Sequence, residues 1–276
     1  MIGVFNSAFG GIFTAMFYPL RSLSPWFAMV LVSVLTAMLM LLIYRTTSNQ
    51  EAIRVTKDRI KAHLLELRLY QDSLATTFRS QGKILRYNMK YMGHAVWPML
   101  VMIIPVVLIL IHLDLWFGYR SLQPGETALL KVTLQEGAQP SRMEIAAEDG
   151  PGVAIDTPPL RLDSEAEVDW RVRAMQAGLH DVTIRVGGET VTKQVAVSAR
   201  PLARISPVRV GPGFIGQILN PAEPVLPSAS SVKSIEVVYP GSTMRLFGWN
   251  LHWLIVYFAL SIIFGFGLKG FFGVEV

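Results

Sequence analysis

The sequence predicts an α-helical integral membrane protein carrying an external all-β sandwich. Three observations predict it: three apolar segments close to the length of a bilayer span, a lopsided distribution of basic residues, and a series of short alternating segments between the second and third apolar stretches. Hydrophobic residues make up 51% of the 276-residue chain and charged residues only 16%, which is apolar for a water-soluble protein. Phe27–Tyr44, Ala95–Ile111 with its flanks, and Leu251–Leu268 have no charged side chain in their interiors and approach the roughly 20 residues a spanning helix needs. They place transmembrane helices at 26–45, 95–117 and 249–270.

Orientation follows from charge. Residues 45–94 carry ten Lys/Arg against four Asp/Glu, whereas 117–248 carry thirteen against fourteen. The basic stretch is expected in the cytoplasm and the longer one outside, with the N-terminus outside and the C-terminal tail, 271–276, inside. Lys269, at the end of the third span, agrees. The chain has no cysteine, so the external part must be held by packing rather than disulfides. The first twenty residues lack the basic n-region and small-residue cleavage site of a signal peptide, and the N-terminus is expected to be retained.

In 1–25 the residues Phe5, Phe9, Ile12, Phe13, Met16, Phe17 and Leu20 recur at spacings of three and four. Asn6, Ser7, Gly10, Thr14 and Arg21 fill the other face, which predicts an amphipathic helix in the membrane interface. Trp26 and Tyr44 bracket the first span as interfacial aromatics. Ser33 and Thr36 are its polar pair; such hydroxyls either line a groove or bond their own backbone carbonyls.

Residues 46–94 predict a cytoplasmic coiled-coil hairpin. Ile53, Ile60, Leu64, Leu67, Leu74 and Phe78 form the seam of one arm, and Ile84 or Leu85, Met89, Met92 and Val96 that of the other. Gly82 is the strongest breaker for the reversal, with Gln71-Asp-Ser73 as the alternative. The basic outer face is either a solvated surface or a contact for anionic lipid, ribosomal RNA or a nascent chain. In the second span Pro98 and Pro105 remove helix hydrogen bonds, and a kink is expected about Pro105. His112 and Asp114 bring two ionisable groups to its outer end, where hydration is expected.

Residues 118–200 read as short strands separated by Gly, Pro and Asp: Ala128–Leu134, Met143–Ala147, Val153–Ile155, Glu167–Ala174, Asp181–Val186 and Val191–Ser198. Val186-Gly-Gly-Glu189 is the clearest hairpin turn, and Trp170 is expected in the core. The pattern resembles an immunoglobulin or fibronectin type III module. Residues 201–248, rich in Pro, Gly and Ser, are expected to be extended, with one more strand at Ile235–Tyr239 and a short apolar segment at 213–219.

Catalytic signatures are not found. The histidines fall on separate elements without ligand spacing, Gly211-Pro-Gly213 lacks the frame of a phosphate loop, and no nucleophile elbow is present. The spans are expected to lack the buried ionisable residues that mark pumps and proton carriers. No catalytic, cofactor or metal residues are expected, and neither enzymatic activity nor DNA binding is.

The order of parts then acquires a meaning. Leu42-Ile-Tyr-Arg45-Thr-Thr leads from the first span into the coiled-coil arm, and Met89-Lys-Tyr-Met92 is followed by Trp97-Pro98 and Ile104-Pro105. Over roughly 1–117 and 249–270 the chain resembles the Oxa/YidC insertase superfamily, and most closely its three-helix branch of archaeal YidC-like proteins and endoplasmic-reticulum relatives. The resemblance implies a prokaryotic inner-membrane insertase or intramembrane chaperone without a cofactor. Its partners would be nascent or client membrane proteins and the lipid bilayer, with the ribosome or other membrane-complex subunits as further candidates. It also implies a hydrophilic groove among the three helices, for which Ser33, Thr36, Met40, Met99, Met102 and Pro105 are candidates, and hairpin contacts at Leu64, Leu67, Arg68, Met89 and Met92. The methionines, Met38 included, are flexible, polarisable contacts suited to varied helices. Two features depart from the family: bacterial YidC proteins carry a groove arginine on the first core span, where this chain has no charge before Arg45, and here the external domain lies between the second and third core helices. The alternative is a structural or assembly subunit of an envelope complex, anchored by three helices and docking through its β-domain.

Overall fold

The computed structural model describes residues 2–69 and 74–274, the side chains at 2, 4, 5 and 74–78 excepted. The chain forms two compact units, Met1–Ala28 with Ile109–Trp253, and Met29–Leu108 with Leu254–Val276. Six α-helices are described: α1 (Ile2–Phe17), α2 (Pro25–Thr47), α3 (Gln50–Leu69), α4 (Leu74–Phe117), α5 (Phe214–Leu219) and α6 (Trp253–Phe272). Three have stretches long and apolar enough to cross a membrane: Pro25–Thr47, Arg79–Phe117 and Trp253–Phe272. Their outward side chains include Phe27, Leu35, Leu42, Ile103, Ile104, Ile262 and Phe266, all exposed. So much exposed apolar surface on the helices marks a face meant for lipid or protein rather than water.

The helical unit of 29–108 and 254–276 is built from α2, α3, α4 and α6. At the end of α2 the hydroxyls of Thr46, Thr47 and Ser48 bond back to carbonyls one turn earlier, and the Asn49 side chain then caps α3 through the Ala52 N–H at 3.0 Å. That is why a single long helix from the span into the arm is interrupted at Ser48-Asn49. The arms α3 and α4 run antiparallel: Lys57 lies over the Tyr91 ring, Arg59 donates to Tyr87 Oη at 3.0 Å, the His63 and Tyr87 rings stack at 5.6 Å, and Lys83 approaches Glu66 at 3.9 Å.

Two expectations about the hairpin are corrected. Gly82 does not turn the chain; it lies inside α4, because one glycine costs a helix only about 1 kcal/mol and the segment around it keeps its helical contacts. The alternative turn at Gln71-Asp-Ser73 lies outside the described residues. The seam also differs. Ile53 and Thr56 are buried, Ile60, His63 and Leu67 half-buried, and they face Ser80, Ile84, Tyr87 and Tyr91 on the return arm, whereas Leu64, Met89, Met92 and Val96 are exposed. The spacing of three and four holds, shifted onto amphipathic residues.

The other unit is a β-sandwich with its attachments. One sheet contains β1 (Thr127–Leu134), β3 (Val153–Ile155), β4 (Leu160–Leu162), β5 (Glu167–Ala174), β8 (Val208–Val210) and β9 (Val232–Val237) in the order β3-β5-β1-β9-β8, with β4 also on β5. The second contains β2 (Ile145–Glu148), β6 (Gly178–Val186) and β7 (Glu189–Val197), in the order β2-β6-β7. Alternate residues of both sheets, among them Leu130, Val132, Trp170, Ile184 and Val195, share one buried core. The β6–β7 hairpin turns at Gly187 and Gly188, both at positive φ (53° and 89°), which is what a two-residue primed turn requires.

Residues 201–248 are not a separate extended segment. Strands β8 and β9 belong to the first sheet, with β9 hydrogen-bonded to β1, and Leu202, Ile205, Leu226 and Tyr239 are buried. The prolines made this stretch read as irregular, yet they punctuate short elements that complete the sandwich. The third apolar helix starts at Trp253 rather than 249, because β10 (Met244–Leu246) and β11 (Trp249–Leu251) pair as a hairpin with Phe247 at its tip. In the same unit α1 packs on the end of α4: Phe17 meets Trp116 and Phe117 at ring distances of 5.1 and 5.6 Å. His112, expected to be hydrated, is buried against Phe9 and Phe13.

Candidate functional site

Within the helical unit, α2, α4 and α6 enclose a groove of about 480 Å³. The residues that line it come at helical spacing: Thr36, Met40 and Tyr44 from α2, Tyr91, Ala95, Met99, Met102 and Val106 from α4, and Tyr257, Ser261 and Gly265 from α6. Each helix therefore turns one stripe of residues inward, and apolar side chains dominate. The polar groups are hydroxyls, those of Thr36, Tyr44, Tyr91, Tyr257 and Ser261. Among the described residues no charged side chain lines the groove.

Of the six groove residues expected from sequence, Thr36, Met40, Met99 and Met102 line it. Ser33 and Pro105 do not; Ser33 is fully buried on α2, its Oγ without a hydrogen-bond partner, and Pro105 is half-buried within an α4 that runs on through both prolines. The groove is also less hydrophilic than expected, since among the described residues hydroxyls set in apolar walls are its only polar lining. Sequence reasoning missed Tyr257, Ser261 and Gly265. Their spacing of four along one face of α6 was the available signal, hidden because the whole helix is apolar.

Next to the groove the hairpin is more polar. A cleft of about 270 Å³ is lined by Asn49, Glu51, Thr56, Arg59, Tyr87 and Lys90, among others. Farther along the arms His63 Nδ1 and Glu66 Oε2 lie 2.7 Å apart. That ring, with Ser80 and Lys83, holds the Glu66 carboxyl below the usual carboxylate range. Of the expected hairpin contacts, Leu64, Arg68, Met89 and Met92 are exposed and Leu67 is half-buried. The four exposed residues form available surface, whereas Leu67 belongs to the inter-arm seam.

No protein-family model and no curated protein matches the chain. Among solved structures it is similar to the crystal structure of the S-layer protein SbsC domains 4 and 5, with 23% identity and a TM-score of 0.22 over 30% of this chain and 48% of that one. The chain thus spans about half the length of that structure.

The β-sandwich holds one polar centre that the sequence reading passed over. On β7, Lys193 occupies a core-facing position between Val191 and Val195 and is fully buried. Its ammonium donates to Glu223, to the Ser206 carbonyl at 2.7 Å and to the Gln194 carbonyl at 3.1 Å. Glu223 in turn accepts from the Gln194 N–H at 3.1 Å and from Ser206 Oγ. Burial pushes the Lys193 ammonium below its ordinary range, opposed by the Glu223 carboxylate. With both charges buried and satisfied, this pair is a structural clasp fastening the Pro-rich segment to β7.

Proposed function

We propose that the chain is a membrane-protein insertase or intramembrane chaperone of the Oxa/YidC type, multi-pass in a prokaryotic inner membrane, with the hairpin and C-terminus cytoplasmic and the β-sandwich external. The observation that carries this reading is the groove: three apolar helices enclose a space of about 480 Å³ whose polar lining, among the described residues, is hydroxyl groups, continuing toward a hairpin with exposed Leu64, Met89 and Met92. A polar segment entering hydrocarbon loses hydrogen bonds to water, at several kcal/mol per unsatisfied group. Hydroxyls in a confined, methionine-rich groove replace part of that hydration while the walls accommodate apolar client helices. Site-specific photocrosslinking probes at Thr36, Met99 and Leu64 test this: adducts to newly made membrane proteins are expected at all three, and probes that capture only lipid would overturn it.

A second reading is supported by the uncharged lining of the groove among the described residues and by the size of the external unit. Here the three helices anchor a subunit of an envelope complex and the sandwich docks its partners. Purification in mild detergent separates the two, because a fixed-stoichiometry complex without nascent-chain adducts supports the subunit.

A further inference from the structure

In the unit that contains the sandwich, α1, the residues after it and the Pro-rich segment enclose a small cleft of about 190 Å³ lined by Thr14, Arg21, Gln194, Arg204 and Ser206 together with apolar side chains. Among the described residues no carboxylate lines it. The Arg204 guanidinium is half-buried, and its one side-chain hydrogen bond among the described residues is from Nη2 to the Pro221 carbonyl at 3.2 Å. Gly10 lets it approach α1 closely, since a Cβ there would lie 3.2 Å from Nη2 and push it by a few tenths of an ångström. Arg21 stacks its guanidinium over the Tyr18 and Trp116 rings at 4.8 and 5.4 Å, and its Nε–H is buried without a hydrogen-bond partner. The rings engage the faces of that guanidinium and leave N–H edges unused. Glu223, which lines the neighbouring cleft together with Arg204, is engaged by Lys193 and Ser206. Arg200 lines the adjoining cleft with both arginines.

Two arginines with unused N–H groups line one cleft and, among the described residues, neither is hydrogen-bonded to a carboxylate, which is the arrangement that recognises a phosphate. The surroundings favour a lipid as its bearer. Ile12, Tyr18 and Leu23 are exposed along the N-terminal segment, and Phe214, Ile215 and Leu219 are exposed on α5, which α1 holds through a 2.7 Å bond from Asn6 Nδ2 to the Gln217 carbonyl. Arg21 lies four residues before the first residue of α2, the distance at which headgroups meet a span. We propose that Arg21 and Arg204 bind the phosphate of an anionic phospholipid headgroup whose acyl chains lie along these exposed apolar side chains. The site would tie α1 and the sandwich to the outer leaflet, and it rests on the membrane reading above.

The test uses the full chain, purified in a neutral detergent and probed by native mass spectrometry with phosphatidylglycerol, phosphatidylcholine or inorganic phosphate. Retention of phosphatidylglycerol over phosphatidylcholine is expected, weakened about tenfold by Arg21→Gln, the loss of one charge-assisted contact. Arg204→Gln should weaken it at least as much, and Arg204→Lys less. Should Arg204→Gln fail to fold, the Arg21→Gln result decides. Equal retention of the two lipids, or retention unchanged by Arg21→Gln, overturns the proposal; binding of inorganic phosphate at equal strength overturns the lipid assignment. Alkaline extraction of membranes, run in parallel, separates the two failures: a chain that resists extraction but binds no phosphatidylglycerol sinks this site alone, and a chain that is extracted sinks the membrane reading.

Discussion

Replacing Glu223 with Gln is expected to cost the sandwich most of its stability at neutral pH, by an amount that pH should tune. The change preserves shape but removes the negative charge, leaving the fully buried Lys193 ammonium with neutral acceptors alone: the amide oxygen at 223, the Ser206 and Gln194 carbonyls and Ser206 Oγ. Removing one partner of a buried pair costs about 3–5 kcal/mol. An independent ceiling follows from titration. Lys193 can escape by shedding its proton, and moving an ammonium from its ordinary value of 10.5 to neutral at pH 7 costs about 5 kcal/mol, at about 1.4 kcal/mol per pH unit. The sign is set by linkage: a lysine whose folded pKa is depressed makes folding release a proton, so stability rises with pH until the unfolded value is reached. The deficit of the variant should therefore shrink to about 2 kcal/mol at pH 9.

The chain has no cysteine, so a single Ala174→Cys, at a fully buried position of β5, reports unfolding of the sandwich alone through thiol labelling along a urea series in detergent. With a slope of about 2 kcal/mol per molar urea, the midpoint should fall by about 2 M at pH 7 and about 1 M at pH 9. The Lys193→Met/Glu223→Leu double variant should recover most of that loss. A midpoint that falls by less than about 0.5 M, or by the same amount at both pH values, would refute the buried clasp.

Three further outcomes can be read in the same way or by crosslinking. Asp169 lies half-buried across from Lys131, which pairs instead with Glu167 at 3.1 Å; burial, then Glu167, raise its pKa, a penalty present above the folded pKa and absent below the ordinary 3.8, so Asp169→Asn should raise the urea midpoint at pH 7 and lose that advantage as the pH falls toward 4. Tyr239→Phe removes the hydroxyl that accepts the buried Ala196 N–H at 2.8 Å and should cost about 1–3 kcal/mol by the same labelling assay. Gly265 lines the groove, yet a Cβ there meets nothing within 4 Å; on the insertase reading Gly265→Phe should cut crosslinking from a Thr36 probe severalfold while leaving the thermal unfolding of the chain unchanged.

The strands of the sandwich were largely legible because alternation encodes burial residue by residue: β1 and β5 bury every second side chain, and two adjacent glycines announce the β6–β7 turn. The same alternation already put Lys193 in line with Val191 and Val195, although its partner could not be found. Glu223 comes from a Pro-flanked segment with no period of its own, more than two dozen residues farther on, and only the folded chain brings it to β7. Short strands such as β4 and β8 were illegible for a similar reason, since three residues cannot display a period and pairing with a neighbour defines them. In the groove, Thr36 stood out against an apolar helix, whereas Tyr257 and Ser261 did not, because α6 is apolar on every side and no polar face marks its inner stripe.

The hairpin explains its own misreading. An antiparallel pair usually hides its leucines, and the sequence was read on that rule. Here His63, Tyr87 and Tyr91 fill seam positions, with Arg59, Glu66 and Lys83 tying the arms by hydrogen bonds and ion pairs. Exposed pairs of this kind contribute only about 0–1 kcal/mol each, less than buried leucines would, so the arms are joined more weakly than a leucine seam would join them. Stability is lower as a result, but Leu64, Leu65, Leu85, Met89 and Met92 stay at the surface. A seam chosen for strength would have consumed them. On the insertase reading, the polar seam and the apolar exterior are therefore one arrangement: the hairpin keeps its adaptable side chains for a client helix that changes with every substrate. A variant that moves leucine into the seam, His63→Leu with Tyr87→Leu, should hold the arms more tightly by thermal unfolding without raising crosslinking from Leu64. Higher crosslinking from the tightened hairpin would show that pairing strength, not free apolar surface, governs client contact.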